Sequence, residues 1–173
     1  EAACGALRIM CCNDSKRAEA GRLGLMPDLQ SALRQHTASE AVAEAACGAL
    51  LNMCWNNSVN RVEAGRLGLM ADLHLQSTFR QHTASEAVAE AACGALQNIC
   101  CNDANEAEAG RLGLMADLQS ALRQLTASEA VVEAACGALR IMCCNDANRA
   151  EAGRLGLMAD LQSALRWRTY RQR

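Results

Sequence analysis

The stretch EAVAEAACGALLNMCW, Glu40–Trp55, decides the fold. Its apolar residues Val42, Ala45, Ala46, Ala49, Leu50, Met53 and Cys54 fall at alternating steps of three and one, which lays them along one side of a 3.6-residue helix. At 100° per residue, Glu44, Gly48, Leu51 and Trp55 project from the other side, with Asn52 between the two faces. A stripe of this kind is stable only when another element covers it. The sequence supplies the cover as further copies of the same stretch.

The string EAACGAL begins at Glu1, Glu44, Glu90 and Glu133, so successive copies are 43, 46 and 43 residues apart. Between the copies recur EAGRLGLM, from Glu19, Glu63, Glu108 and Glu151, and RQHTASEAV, from Arg34 and Arg80, with RQLTASEAV from Arg123. In the unit 102–144, Asn102 to Gly110 predicts a short first helix stopped by glycine. Leu114 to Arg123 predicts a second helix, and Thr126 with Glu129 a capping box opening a third. Thr37/Glu40 and Thr83/Glu86 repeat that signal. The chain divides into a lone third helix over 1–12, full units over 13–55, 56–101 and 102–144, and a partial unit over 145–173 with a basic end. No unit can bury its own stripe, so neighbours must stack. The second period carries one extra residue within Trp55–Gly65 and two within Leu73–Gln76, which predicts a local change in stacking over 56–82. Glu1 falls inside a helix and no initiator Met is present, so the sequence reads as cut from a longer chain whose further repeats, or another subunit, cover the ends.

The order N-x-x-N, EAG, L-x-x-L and capped EAA-x-x-AL resembles the armadillo repeat over nearly the whole chain, with Gly24, Gly68, Gly113 and Gly156 where that family usually has proline. The resemblance implies an all-α fold, a right-handed α–α superhelix of three-helix repeats. It also implies a non-catalytic scaffold or structural subunit that holds an extended segment or a partner subunit along a concave face lined by third helices. In the peptide-binding branch a Trp and an Asn four residues later form that groove. Here the Trp position is Gly5, Gly48, Gly94 and Gly137, and the Asn position is Ile9, Asn52, Asn98 and Ile141. That pattern favours the scaffold branch over nuclear-import receptors.

Composition agrees with an all-helical class. Hydrophobic residues are 51% of the chain and aromatics 2%, so Ala, Leu, Met and Cys must build the core between closely spaced helices. The net charge is −2, and Arg166–Arg173 holds four Arg and no acid, which leaves the rest at −6. An acidic body lacks the basic face that nucleic acid requires, so nucleic-acid contact is an alternative confined to Arg166, Arg168, Arg171 and Arg173. No apolar run is long enough to span a membrane, and the acidic start EAACGALRIMCC is not a secretory leader.

The eleven cysteines invite a redox or metal-responsive reading, which stands as a second alternative. Their positions point to core packing instead. Cys11, Cys54, Cys100 and Cys143 lie on the stripe, Cys4, Cys47, Cys93 and Cys136 beside it, and Cys12, Cys101 and Cys144 on the open face. No C-x-x-C occurs, and adjacent cysteines point to different helix faces. A reducing intracellular compartment follows. His36 and His82 share one loop position and His74 lies in the insertion. Phosphate-loop and nucleophile-elbow motifs are absent; no catalytic residue, metal or cofactor is expected.

Differences between copies mark the expected partner face. On the third helix they concentrate at Arg8/Leu51/Gln97/Arg140, Ile9/Asn52/Asn98/Ile141, Met10/Met53/Ile99/Met142 and Cys12/Trp55/Cys101/Cys144; the Met/Ile change is a core swap and the other three border the open face. The expected anchor is Leu51, Asn52 and Trp55 beside Glu44, with Gln97, Asn98, Cys101, Arg140, Ile141 and Cys144 continuing the track. The alternative for Trp55 is that it packs over the end of its own helix.

Overall fold

The computed structural model describes residues 1–73 and 85–171, with side chains through Arg166. Twelve helices and no strand occur among the described residues: α1 (Ala2–Met10), α2 (Asp14–Arg22), α3 (Leu25–Gln35), α4 (Glu40–Cys54), α5 (Ser58–Arg66), α6 (Leu69–Asp72), α7 (Glu86–Ile99), α8 (Asp103–Arg111), α9 (Leu114–Gln124), α10 (Glu129–Met142), α11 (Asp146–Arg154) and α12 (Leu157–Arg171). The order is a short helix, a second helix and a third helix, repeated. Residues 74–84, which carry His74, His82, Thr83 and the two-residue insertion, lie outside the described residues.

Three rows of like helices result. The third helices α1, α4, α7 and α10 each pack on the next. The first helices α2, α5, α8 and α11 do the same, and among second helices α3 packs on α6 and α9 on α12. The core is one continuous cluster running through all the units. Met26, Leu50, Met53, Met70, Leu96, Ile99, Leu114, Met115 and Leu118 are its largest fully buried side chains. Ala46, Cys47, Ala49, Ala92, Cys93 and Ala95 are 0% exposed; these small side chains let neighbouring third helices approach closely. The stripe read from the sequence is therefore buried apart from the half-buried Ala45, and Ala43, Cys47 and Gly48 are buried with it, because each inner third helix is covered on two sides.

Several local expectations change. The cap of each third helix is Ser39, Ser85 or Ser128, not the threonine two residues earlier. Ser39 Oγ accepts the Val42 N–H at 3.3 Å and Ser85 Oγ that of Val88 at 3.4 Å. Those N–H groups otherwise end the helix unbonded. The first helices run one residue past the expected stop at Gly110, to Arg111 and its counterparts. The left-handed residue that turns the chain is Gly24, Gly68, Gly113 or Gly156, with φ of +71°, +67°, +77° and +72°. Only glycine takes that conformation without strain, so it serves as a chain reversal where the armadillo pattern has proline. The single extra residue of the second unit lengthens α4 to 15 residues against 14 in α7 and α10, and the three-residue link to α5 turns through Asn56 with φ +47°. Helix α12 continues into the basic end as far as Arg171, whereas α3 and α9 stop before a Thr-Ala-Ser segment.

Candidate interaction face

The junctions are pinned by asparagines of the first helices. In N-x-x-N, the first Asn is a cap: Asn57, Asn102 and Asn145 accept the N–H of Asn60, Asn105 and Asn148. The second is buried and reaches back across the junction. Asn60 Nδ2 donates to Arg17 O at 3.1 Å and Met53 O at 2.7 Å. Asn105 donates to Arg61 O and Ile99 O, and Asn148 to Glu106 O and Met142 O. Each of these side chains lies on a glycine of the preceding first helix, so that a Cβ on Gly21, Gly65 or Gly110 would overlap Asn60, Asn105 or Asn148. One side chain thus satisfies carbonyls of two helices in a dry seam, where an unmade bond would cost about 1–3 kcal/mol.

A second clamp closes the end of each third helix. Arg17 donates to Cys11 O at 3.2 Å, Arg61 to Cys54 O at 3.0 Å and Arg149 to Cys143 O at 3.2 Å. In the remaining unit the position holds Glu106, which is 8% exposed and whose Oε1 has no hydrogen-bond partner. Second helices are joined by Gln30 and Arg34 to Asp72, and by Gln119 and Arg123 to Asp160, with Arg34 Nε–Asp72 Oδ1 at 2.7 Å and Arg123 Nε–Asp160 Oδ1 at 2.8 Å. The Arg123 guanidinium holds the Asp160 carboxyl below its ordinary range.

On the third-helix row the expected partner residues separate into two groups. Asn98 is a correction: it is 5% exposed and donates to Leu51 O at 2.9 Å, and Asn52 likewise donates to Arg8 O at 2.8 Å. These asparagines bond one third helix to the carboxyl end of the preceding one. Gly48 is also not on an open face, because the Arg8 side chain lies over it, with Cδ 2.7 Å from where a Cβ would stand. Leu51 covers Gly94 and Gln97 covers Gly137 in the same manner, which leaves both side chains half-buried. Gly48, Gly94 and Gly137 are each the seat for a variable residue one unit back.

What remains open is Glu44, Leu51 and Asn52, which line a groove of about 370 Å³ with Arg8, Gly48 and Glu90. Arg8 Nη1 reaches Glu44 Oε1 at 2.9 Å, and Glu90 is exposed. Trp55 does not line the groove; it caps the carboxyl end of α4 and is 55% exposed. Cys101 and Cys144 are exposed with their thiols on Gln97 O and Arg140 O. Arg140 is exposed and Ile141 half-buried at the last third helix. Arg166 is exposed; Arg168 and Arg171 are described by backbone alone, and Arg173 lies outside the described residues.

Two exposed side chains escaped the sequence reading. Val59 and Val62 of α5 are 76% and 56% exposed beside a cleft of about 620 Å³ that Ala18, Gly21 and Asn57 also line. Their counterparts are Ala or Ser in the other units, so the same copy-difference criterion, applied to first helices, would have found them.

The eleven cysteines are free thiols, and no group of three or more His, Cys, Asp or Glu able to hold a metal occurs among the described residues. Burial pushes Cys47, Cys54, Cys93 and Cys100 up to about 12. Among the described residues no helix is long and apolar enough to cross a membrane. Comparison of the chain with protein-family models, with curated proteins and with solved structures found no match in any of the three.

Proposed function

We propose that this chain is an armadillo-like right-handed α-solenoid and a non-catalytic scaffold, gripping an extended segment of another protein along its third-helix row. The observation that carries the reading is the contrast within that row. The contacts that make the stack are built from repeated Asn, Gly, Ala and Cys, whereas the side chains seated on the glycines change from Arg8 to Leu51 to Gln97. A surface held rigid while its outward chemistry varies is suited to recognition. The groove over Gly48, with Glu90 open and Leu51 at its floor, fits an apolar side chain followed by a basic one. Trp55 adds exposed aromatic area at the end of α4.

The test is capture of binding proteins by the wild-type chain, by Trp55→Ala, by Glu90→Arg and by Arg66→Ala on the first-helix row. Arg66 is exposed and pairs with Glu63 of its own helix. Loss with Trp55→Ala and Glu90→Arg at unchanged melting temperature, with Arg66→Ala behaving as wild type, supports the reading. Capture insensitive to both groove substitutions, or a fall in melting temperature that accounts for the loss, removes it.

A further inference from the structure

The guanidinium that closes a third helix sits among acceptors that recur from unit to unit. Arg17 donates from Nε to Cys11 O at 3.2 Å and from Nη1 to Asp14 at 2.6 Å. Arg149 does the same with Cys143 O and Asp146. Arg61 holds Cys54 O at 3.0 Å and extends its Nη1 to Cys101 O at 3.4 Å.

At the end of α7 the acceptors are kept and the cation is not. Cys100 O stands in the place of Cys11 O and Cys143 O, and the exposed Asp103 in that of Asp14 and Asp146. The arginine position holds Glu106, whose Oε1 is buried and unbonded although the side chain ends in a charge. Burial first, and the Glu106 carboxylate among the smaller causes, raises the thiols of both Cys100 and Cys143. With α8 packed on α10, that carboxylate lies between the ends of α7 and α10. Arg61 makes no bond to it, its own bonds going to Cys54 O and Cys101 O. Two carboxylates and a helix-end carbonyl are thus left together without a donor. The helix dipole and the unpaired buried charge both favour a cation there.

We propose that this place receives the guanidinium of an arginine supplied by a partner protein. Glutamate ends about where the arginine side chain has its Nε, so the planar head that fills the other units has no counterpart in this one. An incoming head replaces it, paired with Glu106 and Asp103 and donating to Cys100 O. A guanidinium fork serves a carboxylate and a carbonyl together, which a lysine ammonium does less well. No group of three or more His, Cys, Asp or Glu able to hold a metal occurs among the described residues, so a metal ion is the poorer fit. The site shares no lining residue with the groove over Gly48 and does not depend on what that groove binds.

Titration of the 173-residue chain with N-acetyl-arginine amide, followed by the amide resonances of residues 100–106, tests this. The expected result is saturable shifts centred on those residues, with a Kd of roughly millimolar order. N-acetyl-lysine amide binds at least about threefold more weakly. Asp103→Asn, at an exposed position, and Glu106→Gln each weaken binding at least about threefold. Glu106→Arg, which supplies the guanidinium from within the chain, abolishes it with helical content kept. Absence of saturable shifts at tens of millimolar overturns the proposal. So does an equal response to sodium or calcium chloride, or binding that survives Glu106→Arg.

Discussion

The first-helix and third-helix rows use the same geometry for opposite ends. At every junction of the first-helix row among the described residues, an asparagine enters over a glycine and bonds two carbonyls; Asn60, Asn105 and Asn148 do this alike. On the third-helix row the residue over the glycine is Arg8, then Leu51, then Gln97. A buried donor serving two carbonyls cannot be exchanged for another side chain without leaving one unbonded. A half-buried side chain lying over a glycine needs only the right bulk. One row fixes the stack and the other is free to vary.

Substitutions should separate the rows by size of effect. Gly65→Ala drives a methyl into Asn105, and Asn105→Ala strands Arg61 O and Ile99 O; each should cost about 2–4 kcal/mol in equilibrium unfolding. Asn98→Ala removes one bond on the variable row and should cost about 1–2 kcal/mol. Leu51→Ala trims a half-buried side chain and should cost about 1 kcal/mol or less. Equal losses for Asn105→Ala and Leu51→Ala would erase the distinction between the rows.

Glu106 sharpens the comparison from the other direction. Three units close the third helix with Arg17, Arg61 or Arg149, and Glu106 leaves a buried carboxylate oxygen unbonded in the same place. Glu106→Arg should raise stability by about 1 kcal/mol, seen as a shift of the denaturant midpoint at unchanged slope. A fall in the midpoint would show that the arginine clamp does not transfer between units.

Acid should act on the second helices before the asparagine seams, which carry no titrating group. Asp160 is held below its ordinary range by Arg123, so it binds a proton more readily unfolded than folded. Its contribution is complete above the unfolded carboxylate pKa of about 4 and is lost as pH falls through the lower folded value. Asp160→Asn should flatten the acid limb of the stability profile by a small amount and leave the neutral limb unchanged in slope. Thiol labelling gives the smallest perturbation: Cys12, Cys101 and Cys144 should react in the folded chain, while Cys47, Cys54, Cys93 and Cys100, raised to about 12 by burial, should wait for unfolding.

The repeat and its helices were legible in the sequence because the copies are nearly identical and the third-helix stripe has a clean period. The misreadings share a cause. A helical wheel shows which residues leave the apolar stripe but not what the next copy lays over them. Asn98 and Gly48 sit off the stripe and are buried by a neighbouring unit. The pattern Thr37-x-x-Glu40 points to threonine as the cap, whereas the helix starts at Glu40 itself, which puts Ser39 at that position. The groove over Gly48 was half legible: Leu51 and Asn52 stand at positions that differ between copies, whereas Glu44 is common to every copy and Arg8 and Glu90 come from the units on either side.

Stacking makes each helix as stable as its neighbours permit, and hydrogen exchange on the chain reads that helix by helix. The amides of α7, held between α4 and α10, should exchange slowest, α4 and α10 next, and α1 and α12 fastest. Uniform protection along the chain, or α1 outlasting α7, would contradict a stack in which every unit is sheltered by the next.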